Sequence, residues 1–117
     1  MAAIPVLFGK TVERALPLSK GSDLRLSIYD ASGDPAVPFP PGTTGVIDIE
    51  YDETLIRFEA ELVGDRLEFV LDNEVTDQIP ASSFAQKVSW RLRIGFAEDP
   101  GVEVPVYEGP VYRGKHG

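Results

Sequence analysis

The chain has no cysteine, one histidine, one methionine and one tryptophan among its 117 residues. Without cysteine, disulfides and thiolate metal sites are excluded. The single histidine is His116, beside the end of the chain. A catalytic base must be held by its neighbours, so His116 reads as solvated tail. Cys–His and Ser–His–Asp constellations therefore have no members here. Glycine-rich phosphate loops of either common type are also missing. No apolar run approaches the roughly 20 residues that a membrane span needs. The first residues, Met1 to Phe8, lack a basic leader region, and Pro5 breaks their short apolar stretch. They make a poor signal peptide, so synthesis in the cytoplasm is the expectation.

Basic residues are few as well. Eleven Lys and Arg face 19 Asp and Glu, for a formal net charge of −8. Such a surface repels nucleic acid and anionic membranes and favours neutral or basic partners. The acids are uneven. Eleven fall between Asp48 and Asp77, against only Arg57 and Arg66 there.

What the chain has is a period of two. Leu24-Arg25-Leu26-Ser27-Ile28 alternates, as do Ile47 to Tyr51, Ile56 to Leu62 and, with Val70 as the break, Leu67 to Leu71. Val88 to Phe96 is the longest such run. Alternation marks strands with one buried and one solvated face, typical of antiparallel sheets. Gly64-Asp65 predicts a tight hairpin and Asp99-Pro100-Gly101 a type I or II turn. Pro38, Pro40 and Pro41 belong in a connection, because proline cannot donate to a central ladder. Residues 72–86 lack the period and leave room for one helical turn after Asp72 or Asn73, ended before Pro80. The expected fold is all-β: one antiparallel β-sandwich, Ig-like or jelly-roll-like, of about seven or eight strands over residues 1–117. Residues 1–10 read as an N-terminal docking segment and 114–117 as a flexible tail. The predicted core is Leu24, Leu26, Ile28, Ile47, Ile49, Ile56, Phe58, Leu62, Leu67, Phe69, Leu71, Val88, Trp90, Leu92, Ile94 and Phe96.

Two acidic features invite a metal reading. Asp48, Glu50 and Asp52 share a strand face, with Glu59, Glu61 and Glu68 nearby, as a carboxylate patch for a hard cation would require. The preferred alternative is a solvated face whose acids pair across strands with Arg57, Arg66, Arg91 or Arg93; a surface for a basic partner lies between the two. Asp30-Ala31-Ser32-Gly33-Asp34 has close acids and a glycine, but Pro35 to Pro40 supply no further side-chain oxygen. It reads as a turn with Gly33 at positive φ. No metal, cofactor or catalytic residue is predicted.

Candidate interface residues remain at the two ends. Val6, Leu7 and Phe8 lie outside the alternating body, and Phe39 is held between prolines. Tyr107, Tyr112 and Arg113 stand in a closing segment with residue types enriched at protein interfaces. These segments either close the sandwich or meet a partner, and the sequence leaves the two balanced.

The order of motifs is distinctive: a KGSDLRLSI strand, a DASGDP turn, an FPPGT segment, the Gly64-Asp65 hairpin, a QIP connection, an RLRI strand and a closing YEGPVYRG strand. It resembles the LtfC-type β-sandwich proteins of tailed phages that infect actinobacteria. More loosely it is similar to N-terminal sandwich domains of phage baseplate proteins. The resemblance covers roughly residues 15–114 and rests on Gly21, Asp23, Pro40, Gly42, Thr43, Gly109, Val111 and Arg113. The Val102–Tyr107 run is richer in valine than that pattern. The resemblance implies a virion structural protein in the tail or head–tail region, with no enzymatic activity. Its partners would be a major capsid or tail protein, or further copies of itself. Three alternatives are a capsid-surface decoration protein, an assembly chaperone left out of the particle, and a free carbohydrate- or calcium-binding module.

Overall fold

A computed structural model describes residues 2–33, 35–80, 82, 83 and 86–113. In chain order the first strands are β1 (Ala2–Val6), β2 (Val12–Glu13), β3 (Leu16–Leu18), β4 (Leu24–Asp30) and β5 (Thr44–Tyr51). Then come β6 (Thr54–Glu59), β7 (Glu61–Val63), β8 (Arg66–Leu71), the helical turn α1 (Asn73–Thr76), β9 (Val88–Gly95) and β10 (Glu103–Arg113). They form two sheets. The smaller has the order β1-β4-β8-β7, and the larger β2-β10-β9-β5-β6, with β3 also on β10.

The alternating runs become the strands that face one another across the core. Leu26, Ile28, Leu67, Phe69 and Leu71 come from the smaller sheet; Ile47, Ile49, Trp90, Leu92 and Ile94 come from the larger. All are buried. Each such side chain contributes roughly 1.5–3 kcal/mol by leaving water. Leu24, Ile56, Phe58, Leu62 and Phe96 are only partly buried, packed around this centre. Ile56, Phe58 and Leu62 lie on edge strands, β6 and β7, which have a neighbour on one side only.

The local signals hold in detail. Val63 pairs with Arg66 across Gly64-Asp65, and Gly64 has φ 62°. The Val102 N–H donates to the Asp99 carbonyl at 3.2 Å with Gly101 at φ 86°, a type II turn. The helical turn is capped by Asp72, whose carboxylate accepts from the Glu74 N–H at 2.8 Å.

Four expectations need correction. First, the body is antiparallel, but β1 runs parallel to β4, and β2 and β3 run parallel to β10. The N-terminal segment thus serves both sheets, which raises the strands above the expected number. Second, residues 1–10 are not a separate docking arm: Ala2–Val6 forms β1, with Ile4 and Val6 in the core. Pro5 and Pro17 sit on edge strands, where no ladder donor is required. Third, Ile56 to Leu62 is not one strand. The Ala60 N–H bonds the Gly45 carbonyl at 2.9 Å, and the chain then leaves the larger sheet for the smaller. Fourth, Gly33 does not take positive φ. Asp30 instead closes an Asx turn by accepting from the Ser32 N–H at 2.9 Å, and a Cβ on Gly33 would stand 2.9 Å from the Val37 side chain. A larger residue there would have to displace the exposed Val37 side chain. Asp34, the 114–117 tail and His116 lie outside the described residues.

Candidate partner interface

The seven candidate interface residues separate sharply. Val6 is 1% exposed, Phe39 4% and Tyr107 6%, so these three are core residues rather than surface groups. Tyr107 lies parallel to Trp90, with ring centroids 6.3 Å apart, and its hydroxyl donates to the Pro5 carbonyl. Phe39 plugs the core between its flanking prolines, its N–H donating to the Asp65 carbonyl. Phe8 is half-buried against Phe96, centroid to centroid 5.4 Å. Leu7 and Tyr112 are exposed, at 61% and 51%.

Arg113 belongs to a polar clasp at one end of the sandwich. Its Nε donates to the Ile79 carbonyl at 2.8 Å, and its Nη2 donates to the carbonyls of Thr76 and Ile79. These carbonyls lie at and just beyond the C-terminus of α1, and the Thr76 carbonyl also accepts the Ile79 N–H at 3.0 Å. On the same turn, Asp23 accepts from the Asn73 N–H at 2.8 Å, and Asp77 accepts from the Gly21 N–H at 3.0 Å. Gly21, Asp23 and Arg113, far apart in sequence, therefore meet through one helical turn.

Gly109 and Trp90 form a second meeting point. Between β2 and β3 the chain bends at Arg14, whose N–H donates to the Glu108 carbonyl at 2.9 Å. The Arg14 carbonyl accepts the Trp90 indole N–H at 2.7 Å. A Cβ on Gly109 would lie 2.2 Å from that carbonyl oxygen, so the approach requires glycine.

The outer face of the larger sheet carries the charge. Cross-strand register sets Glu13, Glu108, Arg91, Asp48 and Arg57 in one row across β2, β10, β9, β5 and β6. Asp48 is buried between two arginines: Arg57 Nε is 2.8 Å from its Oδ1, and Arg93 Nη2 contacts Oδ2. Burial pushes the Asp48 carboxyl up, but hydrogen bonds and charge from Arg57 and Arg93 outweigh it and hold its pKa below the usual carboxylate value. Arg57 is raised in turn, chiefly by its hydrogen bond to Asp48. The cross-strand pairing of acids with arginines is thus realised at Asp48. Among the described residues, no three or more acidic or histidine side chains come together as a metal would need. Beside this row lies a groove of about 560 Å³, walled by Ser82, Ser83 and Lys87 and floored by Ser89, Arg91, Glu50, Glu108, Glu13 and Pro110.

A family model described as an LtfC-like, beta-sandwich domain matches residues 10–114. The chain belongs to the LtfC-like β-sandwich family. No curated protein matches it. Membership of this family fits a phage-related structural module. The LtfC-like match begins after β1, so the strand that completes the smaller sheet lies outside it. Within the LtfC-like region, the clasp residues Gly21, Asp23 and Arg113, the close-approach residue Gly109, and Val111, 0% exposed, all have structural roles. Among the described residues, no helix is long and apolar enough to cross a membrane.

The surface of the LtfC-like domain also holds groups that sequence reasoning missed. Leu55 is 52% exposed on edge strand β6, and Val102 is 50% exposed before β10. Leu55 shares parity with Arg57, which was the available sign that it faces outward. The facing acids Glu13 and Glu108 carried no such sign, since nothing local reveals that β2 lies on β10.

Proposed function

We propose that this chain is a structural protein of a tailed-phage particle, acting by protein–protein contacts in the tail or head–tail region. It works by contact rather than by chemistry. The observation that carries this reading is the family match over residues 10–114. Support also comes from the surface: Leu7, Leu55 and Tyr112 expose large apolar side chains suited to contacts with other virion proteins or with further copies. A symmetric particle presents many copies, so weak individual contacts hold by multivalency. The test is mass spectrometry of purified particles. The chain is expected at stoichiometric copy number, and its absence from intact particles sinks the proposal.

A further inference from the structure

The groove on the outer face of the larger sheet is bordered by charges that the fold does not balance. Glu13 and Glu108 stand directly opposite each other on parallel strands β2 and β10. Like charges facing across strands destabilise a sheet, so this pair does nothing for folding. Arg91 approaches Glu108 only to 3.9 Å, with both side chains at least half exposed. On the far side of the groove Glu50 faces Ser89 and Leu55 in register, and neither carries charge. Among the described residues neither Glu13 nor Glu50 has an ion-pair partner. Asp48 pairs with Arg57 and Arg93, and Arg93 also approaches Glu103 at 3.8 Å, so this group of two acids and two arginines adds little net charge.

From this face we infer a docking surface for one kind of occupant: an extended segment of a partner protein that carries two basic side chains four residues apart. The spacing follows from the sheet. Glu13 on β2 and Glu50 on β5 are three strand steps apart in the order β2-β10-β9-β5. Neighbouring strands lie ~4.8 Å apart, and Glu50 sits two residues along β5 from Asp48, which is level with Glu13, so the two positions stand ~16 Å apart on a diagonal across the sheet. An extended chain rises ~3.4 Å per residue and returns to the same side every second residue, so residues i and i+4, ~14 Å apart, are the same-side pair nearest that span, and long basic side chains reach across the difference. A segment crossing the strands would place one base over Glu13 and Glu108 and the other over Glu50. The residue midway would face Arg91 and is expected to be neutral or acidic. Ser82, Ser83 and Lys87 line the groove beside this path. This inference rests on reading the chain as an assembly protein and specifies the chemistry of its partner.

The test uses the full chain and a short synthetic peptide with two lysines four residues apart. Two companion peptides carry the lysines adjacent or replace both with glutamine. The spaced peptide is expected to bind about tenfold tighter than the glutamine peptide, as two exposed ion pairs allow. The advantage should vanish in the double variant Glu13→Gln, Glu50→Gln and at high salt. It should survive in Glu98→Gln, Asp99→Gln, which removes the same charge beyond the other end of β9. Because Glu13 opposes Glu108, Glu13→Gln alone is expected to leave the melting temperature unchanged or raise it slightly. Equal binding of the spaced and glutamine peptides, or equal losses in the two double variants, overturns the inference. These measurements need no particle. Spaced-peptide binding by a chain that is absent from virions would therefore refute the virion reading while the docking surface stood.

Discussion

Gly109→Ala tests the most constrained contact in the fold. The added Cβ would lie 2.2 Å from the Arg14 carbonyl oxygen and 2.8 Å from its carbon. These are backbone atoms, so no side-chain rotation relieves the clash, and the bend between β2 and β3 must move away from β10. Two hydrogen bonds depend on that bend: Arg14 N–H to Glu108, and the Trp90 indole N–H to Arg14. A net hydrogen bond is worth about 0.5–1.5 kcal/mol, and an orphaned buried donor costs about 1–3 kcal/mol. Trp90 is 2% exposed, so water cannot replace its lost acceptor without opening the core. The expected loss is about 2–5 kcal/mol, a large part of the roughly 5–15 kcal/mol that stabilises a typical domain. With a urea slope of about 1–3 kcal/mol per molar, the midpoint should fall by roughly 1–3 M. Urea unfolding followed by circular dichroism reads this directly. Trp90→Phe removes the donor, so Gly109→Ala should cost less in that background, with a coupling of at least about 0.5 kcal/mol. A loss below about 1 kcal/mol, or strict additivity of the two substitutions, refutes the account of Gly109.

Three further outcomes are expected. Trp90→Ala should lower stability by about 3–5 kcal/mol, because a large buried ring leaves a cavity; calorimetry showing a small loss would place the ring outside the core. Asp48 has a folded pKa below its unfolded value, so its stabilisation is fully present above the unfolded pKa and is lost as pH falls through the folded one. The stability advantage of the native chain over Asp48→Asn should therefore shrink in acid, below about pH 4, and a difference that is flat across that range contradicts the ion-pair assignment. Arg113→Lys keeps the charge but not the planar fork that reaches both carbonyls. Hydrogen exchange should show faster opening of α1 and the following turn, and unchanged protection there would remove Arg113 from the clasp.

Much of the fold was legible because a sheet with one buried face writes its period into the chain. β8 and β9 bury residues of the expected parity in alternation, β4 and β5 bury the expected apolar residues together with Ser27 and Asp48 between them, and the Gly64-Asp65 hairpin and the turn after Asp72 follow from local chemistry. Candidate interface residues were less legible, for two reasons. In β10 the register shifts between Pro105 and Tyr107, so Val106 and Tyr107 are both buried and parity no longer separates inside from outside. Phe39 sits among prolines with no period at all, and only the packing of a distant element could say that it fills the core. Leu7 and Tyr112 remain on the surface, while Val6, Phe39 and Tyr107 do not.

By itself the sequence determined an all-β domain, its central strands, its turns and a net negative surface, because each is set by neighbours along the chain. Only the tertiary structure decided where the first twenty residues go. Their strands gain hydrogen bonds from partners that lie up to about a hundred residues away, and although Ile4 and Val6, like Leu16 and Leu18, point inward in alternation, segments this short carry too little pattern to say which sheet they join. The same long-range pairing brings Glu13 against Glu108 and Arg113 onto α1. The surface available to a partner is therefore a property of the assembled sheets, since the residues that compose it are neighbours only after folding.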